Sequence, residues 1–196
     1  MGNELADAKV RPFLTDVEEL RRRARKHMEL GAVTDSYKAD RETVIKILNE
    51  VLATELVCVL RYKRHYYMAT GIHAQSVAKE FLEHAKEEQG HADVAAERIT
   101  QLGGEPDFNP DSLTRRSHSE YVEGQSLLDM VREDLVAERI AVESYNEIIR
   151  YLGDDDPTTR IAIEKILAKE EEHADDMKKI LDTLSKTELE AREPLK

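Results

Sequence analysis

Two Glu-x-x-His steps recur in this chain, each preceded by a lone glutamate about one helical hairpin upstream. The steps are Glu88/His91 and Glu170/His173; the lone glutamates are Glu55 and Glu138, thirty-three and thirty-two residues earlier. Helix positions i and i+3 share a face, so each Glu/His pair points at one spot. The doubled spacing predicts two helical hairpins of the same design. Glutamate is abundant here, and one such step would carry little. The conjunction carries the argument. Leu52 and Val59 flank Glu55 at helical spacing, and Leu135 and Val142 flank Glu138, so both lone carboxylates fall on otherwise apolar faces. An unpaired buried carboxylate is costly, and a metal ion supplies the missing partner. Four carboxylates and two imidazoles converging inside a four-helix bundle predict a two-metal site, in which four negative charges balance two divalent cations.

Bulk properties agree. The 196 residues suit one domain over 1–196. With 36% charged and 40% hydrophobic residues, five prolines and eight glycines, the composition suits long amphipathic helices. Tryptophan is absent and aromatics make up 5%, which excludes a stacking platform for sugars or single-stranded nucleic acid. The net charge of −12 disfavours DNA and anionic membranes as partners and favours cations. Cys58 is the only cysteine, so no intramolecular disulfide forms and a reducing compartment is expected. Residues 1–10 lack the apolar core of a signal peptide. No run of about 18 apolar residues occurs, and the expected location is cytoplasmic with no membrane partner.

A short helix is predicted over 15–30, opened by Thr15 with Glu18 three residues on and closed at Gly31. Its Arg21, Arg22, Arg23, Arg25 and Lys26 read as a solvated face with stems over apolar surface rather than a DNA contact. Long helices are predicted over 36–70, from Ser76 to Gly103, over 120–151, and from Asp156 to about Leu184. Asp156 as cap and Pro157 at the first helical position mark the last start. The stretch 103–121, with Pro106 and Pro110, shows no periodicity and predicts a long crossover between the second and third long helices. The tail 186–196 is polar and reads as unsuited to a packed fifth helix. Gly90 lies mid-helix between ligand candidates and predicts a close helix contact there, within the chain or at a subunit interface. Cys58 reads as a small core residue rather than a redox group. His84, one turn before Glu88, reads as an outer neighbour of the site or a solvated group, and Glu83 and Glu87 as surface carboxylates able to receive iron.

The segment Glu55-Leu-Val-Cys-Val-Leu-Arg-Tyr62-Lys-Arg-His65, the Glu88-Gln-Gly-His91 step, Ala137-Glu138-Arg139 and Glu170-Glu-Glu-His173 together resemble bacterioferritins, over residues 40–185. The resemblance implies an all-α, ferritin-like four-helix bundle with a long crossover. It implies two iron ions per subunit held by Glu55, Glu88, His91, Glu138, Glu170 and His173, with Glu88 and Glu170 bridging and Tyr62 beside the centre. Manganese or zinc suits such ligands as a substitute. The implied activity is a ferroxidase that oxidises Fe(II) with O₂ or H₂O₂ and stores Fe(III) as mineral inside a homo-oligomeric shell. Gln89 stands where bacterioferritins carry their haem-binding methionine, so haem is not expected. The extra N-terminal helix and polar C-terminus resemble the Dps-like group, which favours twelve subunits over twenty-four. The alternative is a non-storing di-metal (Fe/Mn) oxidoreductase or peroxidase.

Overall fold

The protein is seen in a computed structural model that describes residues 16–72 and 74–192, with side chains as far as residue 187. It is all-α. Helix α1 spans Val17–Arg23, α2 Arg41–Met68, α3 Ala74–Gln101, α4 Leu113–Arg116, α5 Leu127–Leu152 and α6 Pro157–Arg192. Among the described residues no helix is long and apolar enough to cross a membrane.

Local chemistry sets where the helices begin. Asp40 accepts from Thr43 N at 2.8 Å and opens α2 five residues later than the apolar stripe suggested. Asp156 caps α6 through Thr159 N at 2.9 Å, with Pro157 first in the helix, as its sequence predicts. At the N-terminus the cap is Asp16, accepting from Glu18 N at 3.4 Å; the predicted cap, Thr15, lies outside the described residues. The helix predicted over 15–30 stops at Arg23. His27 takes a left-handed φ of 51°, and Met28–Leu30 form a separate 3₁₀ turn. At the other end α6 runs on past Leu184 to Arg192, because Lys186, Thr187 and Glu188 continue it without a breaker.

The chain pairs α2 with α3 and α5 with α6 as hairpins. The segment between them travels the length of α2. A Cβ on Gly104 would lie 2.8 Å from Ile45 at the start of α2. Asn49 receives Asp107 N at 2.7 Å, Thr54 receives His118 N at 2.9 Å, and Arg61 reaches Glu120 O at 2.8 Å. Arg64 ends the track at Glu123 O, 3.0 Å away. From Ile45 to Arg64 is a rise of about 28 Å along the helix. The connection therefore crosses from one end of the bundle to the other, and α3 and α5 run in the same direction, the topology of a ferritin-like bundle.

The third long helix starts at Leu127, seven residues later than predicted. Arg61 and Arg64 hold the Glu120 and Glu123 carbonyls outside any helix, Gly124 turns at a φ of +64°, and Ser126 supplies the cap to Asp129 N at 3.1 Å. Arg61 also pairs with Asp134 at 2.9 Å, and Asp134 with His65 at 2.8 Å. His65 closes the set against Val122 O at 3.2 Å and Glu123 O at 3.1 Å. All three side chains are buried, so one ionic cluster ties α2, α5 and the crossover together.

Two apolar clusters fill the bundle. One gathers Leu48, Leu52, Ala95, Ile99, Tyr145, Ile148 and Ile163; the other gathers Tyr62, Phe81, Ala85, Val131 and Met177. Between them lies a polar layer. Every predicted ligand falls in this gap: Glu55 after Leu52, Glu88 after Ala85, Glu138 after Ala137, and Glu170 after Ile166.

Candidate metal centre

Four helices each deliver their predicted residues to one point. Glu55, Glu88, Glu138, Glu170 and His173 are each no more than 1% exposed, and the His91 side chain is 13% exposed. Two overlapping groups form. Glu55, Glu88, His91 and Glu170 offer ligand atoms within 4.8 Å of one another, and so do Glu88, Glu138, Glu170 and His173. Glu88 and Glu170 belong to both, and each splits its two oxygens between the histidines. Glu88 Oε2 lies 3.3 Å from His91 Nδ1 and Oε1 lies 3.2 Å from His173 Nδ1. Glu170 Oε1 lies 2.8 Å from His91 Nδ1 and Oε2 lies 3.6 Å from His173 Nδ1. The arrangement is that of two cation positions with shared carboxylates between them. Such a geometry can hold two divalent ions side by side.

The unpaired atoms test the fit. Glu55 Oε2, Glu88 Oε1, Glu138 Oε2, Glu170 Oε1 and His173 Nδ1 are buried without a hydrogen-bond partner. Orphaned polar atoms of this kind are rare and costly. All five belong to the predicted ligand set, and a cation among them would satisfy them together.

The electrostatics agree. Burial, and then the Glu88 carboxylate, push Glu55 up to about 8. Burial with Glu88 and Glu170 pushes Glu138 well above the usual carboxylate range. Burial opposes charge on Glu88 and Glu170 too, but the close approach of the histidine rings, among other polar contacts, outweighs it and holds both below the ordinary value. It also opposes charge on the imidazoles. Contacts with the glutamates still lift His91 to about 12 and His173 to about 10. Without a bound cation, protons supply the balancing positive charge, and cations must displace them.

Outer contacts fix the ligands. Tyr62 donates a short hydrogen bond to Glu138 Oε1, and Tyr145 donates one to Glu55 Oε1. Each phenol sits seven residues after one lone glutamate and reaches the lone glutamate of the other hairpin. The sequence analysis places Tyr62 beside the centre and assigns Tyr145 no role there; the equal spacing from Glu138 was the available signal. Glu87 Oε2 pairs with His173 Nε2 at 2.6 Å. That contact turns the ring so that Nδ1 faces the carboxylates, a carboxylate–histidine arrangement common behind metal ligands. Glu87 therefore reaches the centre through His173, more closely than a surface carboxylate would.

The family model for the ferritin-like domain matches residues 45–187. The chain belongs to the ferritin-like family. Among its relatives, the bacterioferritin of Streptomyces coelicolor is 31% identical over 144 residues, covering 73% of this chain and 82% of that one. A solved structure of a dodecameric thioferritin, the bacterioferritin-related protein of Bacteroides fragilis, superposes with a TM-score of 0.75 at 28% identity, covering 80% of this chain and 94% of that one. The Desulfovibrio desulfuricans bacterioferritin, solved with its diiron site in different catalytic states, gives a TM-score of 0.66 at 25% identity, covering 74% and 82%.

Other residues of this ferritin-like chain fall as follows. Cys58 is buried in the apolar cluster beside the centre, and burial pushes its thiol well above the ordinary value, the state of an inert core thiol. Gly90 has no close contact within the chain: a Cβ there meets nothing within 4 Å, so of the two contacts expected there the one within the chain is not formed. Within the basic run Arg22 pairs with Glu19 at 2.7 Å and Lys26 with Asp35 at 3.0 Å, and α1 buries no residue. His84 is buried and stacks on His173 with ring centroids 3.9 Å apart, so it is a neighbour of the centre and not a solvated side chain.

Proposed function

We propose that the protein is an iron-storage ferroxidase in which Fe(II) is the substrate. Glu55 and His91 take one Fe(II), Glu138 and His173 the other, and Glu88 and Glu170 bridge them. The observation that carries this reading is the shared pair: two carboxylates, each with one oxygen toward each histidine, amid buried atoms that have no other partner. The bacterioferritin relatives and the diiron bacterioferritin structure support iron over other divalent ions; manganese or zinc fits the same ligands.

Each Fe(II) gives up one electron. Two electrons with two protons take O₂ to H₂O₂, or H₂O₂ to two waters. Four carboxylates neutralise two Fe(II) and stabilise the added charge of two Fe(III). Tyr62 and Tyr145 hold Glu138 and Glu55 in place, and Glu87 keeps His173 Nδ1 aimed inward. Fe(III) then leaves to mineralise within a multi-subunit shell. The thioferritin likeness, over 94% of a dodecameric protein's chain, supports twelve subunits.

Size-fractionated protein is titrated with Fe(II) anaerobically and then given O₂ or H₂O₂, with near-ultraviolet absorbance as readout. Rapid oxidation at two irons per subunit, followed by loading far beyond two in a large particle, is expected. Saturation at two in a small oligomer would replace storage with a non-storing di-metal oxidoreductase. Glu55→Ala and Glu138→Ala are each expected to abolish the rapid phase with the helical content kept; full activity in both would remove the assigned centre.

A further inference from the structure

One buried polar cluster has no member in the predicted ligand set. Arg61, His65 and Asp134 are each no more than 1% exposed. Arg61 Nε donates to Asp134 Oδ1 at 2.9 Å, and His65 Nδ1 lies 2.8 Å from Asp134 Oδ2. On the far side of the ring, His65 Nε2 lies 3.2 Å from Val122 O and 3.1 Å from Glu123 O. Arg61 Nη1 also donates to Glu120 O at 2.8 Å. Three carbonyls from the end of the crossover thus turn inward onto two basic side chains.

These partners set the proton count on His65. A carboxylate and a backbone carbonyl only accept, and a neutral imidazole has one N–H to give. In either neutral tautomer one ring nitrogen would press its lone pair on a buried oxygen. The imidazolium donates on both sides and leaves no group unanswered. Arg61 and His65 then carry two positive charges against one on Asp134, and the three inward carbonyls set their negative ends against the surplus. The other groups around the ring leave this count unchanged. On α2, Tyr62 is engaged with Glu138 and His84. From α3 comes the uncharged Phe81 ring, with centroids 5.6 Å apart. At the crossover the Glu123 carboxylate is taken by Arg64 at 2.8 Å, and the Glu120 side chain is exposed.

We propose that His65 is a proton-operated latch on the end of the crossover. With a proton on each ring nitrogen it ties Val122 and Glu123 to α2 and, through Asp134, to α5. When the Nε2 proton passes to water, that nitrogen turns a lone pair on both carbonyls and the stretch leading to the α5 cap at Ser126 loosens. The folded chain holds a proton there that the unfolded chain gives up more readily, so the latch is closed at low pH and opens as pH rises. Histidine is the side chain suited to such a change near neutral pH. Arg61 and Arg64 keep their charge and their hold on Glu120 O and Glu123 O, which keeps the opening local. The latch stands whether or not the centre takes cations.

Neutron diffraction from deuterated crystals of the full chain, at intervals from about pH 5 to about pH 9, reads the ring directly. Deuterons on both His65 nitrogens are expected at the acid end and on Nδ1 alone at the alkaline end. A single deuteron throughout, or two throughout, would overturn the latch. The opening is read in solution by a glutamate-specific protease, with an unstructured peptide correcting for the protease's own pH response. Cleavage at Glu120 and Glu123 should quicken about 10- to 100-fold over the interval in which Nε2 loses its deuteron, the range set by one hydrogen bond to a charged group. Equal quickening at sites in α3 and α6 would mean general loosening and overturn the local release. His65→Gln should be cut at a rate that does not change with pH; a wild-type profile in that variant would overturn His65 as the group that titrates. If the variant does not fold, the wild-type deuterons and cleavage profile still decide.

Discussion

Tyr62 and Tyr145 repeat, at the scale of single residues, the symmetry of the two hairpins. Each phenol crosses from its own helix to the lone glutamate of the opposite one, α2 to α5 and back. A buried carboxylate oxygen that loses such a donor bears its desolvation alone, at about 1–3 kcal/mol. Tyr145→Phe should therefore lower the melting temperature of the cation-free protein by about 2–12 °C, at roughly 2–4 °C per kcal/mol for a chain of this size. It should also weaken Zn(II) binding about 10- to 100-fold, as loss of a ligand's outer partner does. Calorimetric melting and a competition titration measure the two effects. An unaltered affinity would mean that Glu55 needs no help from Tyr145.

Two contrasts stand out among the helices. Arg61 and Asp134 carry an ion pair into the core and, with His65, pin the crossover onto α2 and α5. Breaking a buried pair from one side leaves the other charge unanswered, at about 3–5 kcal/mol. Asp134→Ala is expected to cost that much in denaturant unfolding and to expose residues 120–126 to proteolysis first. Gly90 is the opposite case. Its helix position has space for a side chain, since a methyl there would meet nothing within 4 Å, and glycine inside a helix costs about 1 kcal/mol relative to alanine. Gly90→Ala should thus raise the melting temperature by about 2–4 °C. A fall on mutation would place a neighbouring subunit against that face.

For the whole molecule, the centre sets how stability depends on pH. Glu55, at about 8 against an ordinary 4.5, contributes stability fully below the ordinary value and loses it as pH climbs through about 8. His91 and His173, raised from 6.5 to about 12 and about 10, act in the same sense. Glu88 and Glu170 are lowered, so their contribution is lost only as pH falls below the ordinary carboxylate range. Between about pH 5 and pH 8 the cation-free protein should therefore melt lower as pH rises. Divalent cations should reverse the trend, because protons compete for their ligands. At a hundredfold excess over Kd, binding adds about 2.7 kcal/mol, or roughly 5–10 °C, and more at pH 8 than at pH 6. Melting curves in chelator and in Zn(II) across that range check it; a chelated protein that melts higher at pH 8 would contradict the charge assignment.

Periodicity and spacing were enough to place the long helices, the crossover and the six convergent residues. The reason is physical: 3.6 residues per turn ties sequence distance to a helix face, and a carboxylate on an apolar face demands a partner. Asp156-Pro157 was equally legible, since its cap forms within four residues. What local patterning could not carry was any contact between distant segments. The start of α5 at Leu127 depends on Arg61 and Arg64 reaching across the crossover, and the role of Tyr145 depends on a helix ninety positions away in the chain. The division of Glu88 and Glu170 oxygens between two histidines, and the stacking of His84 on His173, exist only once four helices have packed. The ligand types and their spacing are properties of the chain; their partners and orientations are properties of its packing.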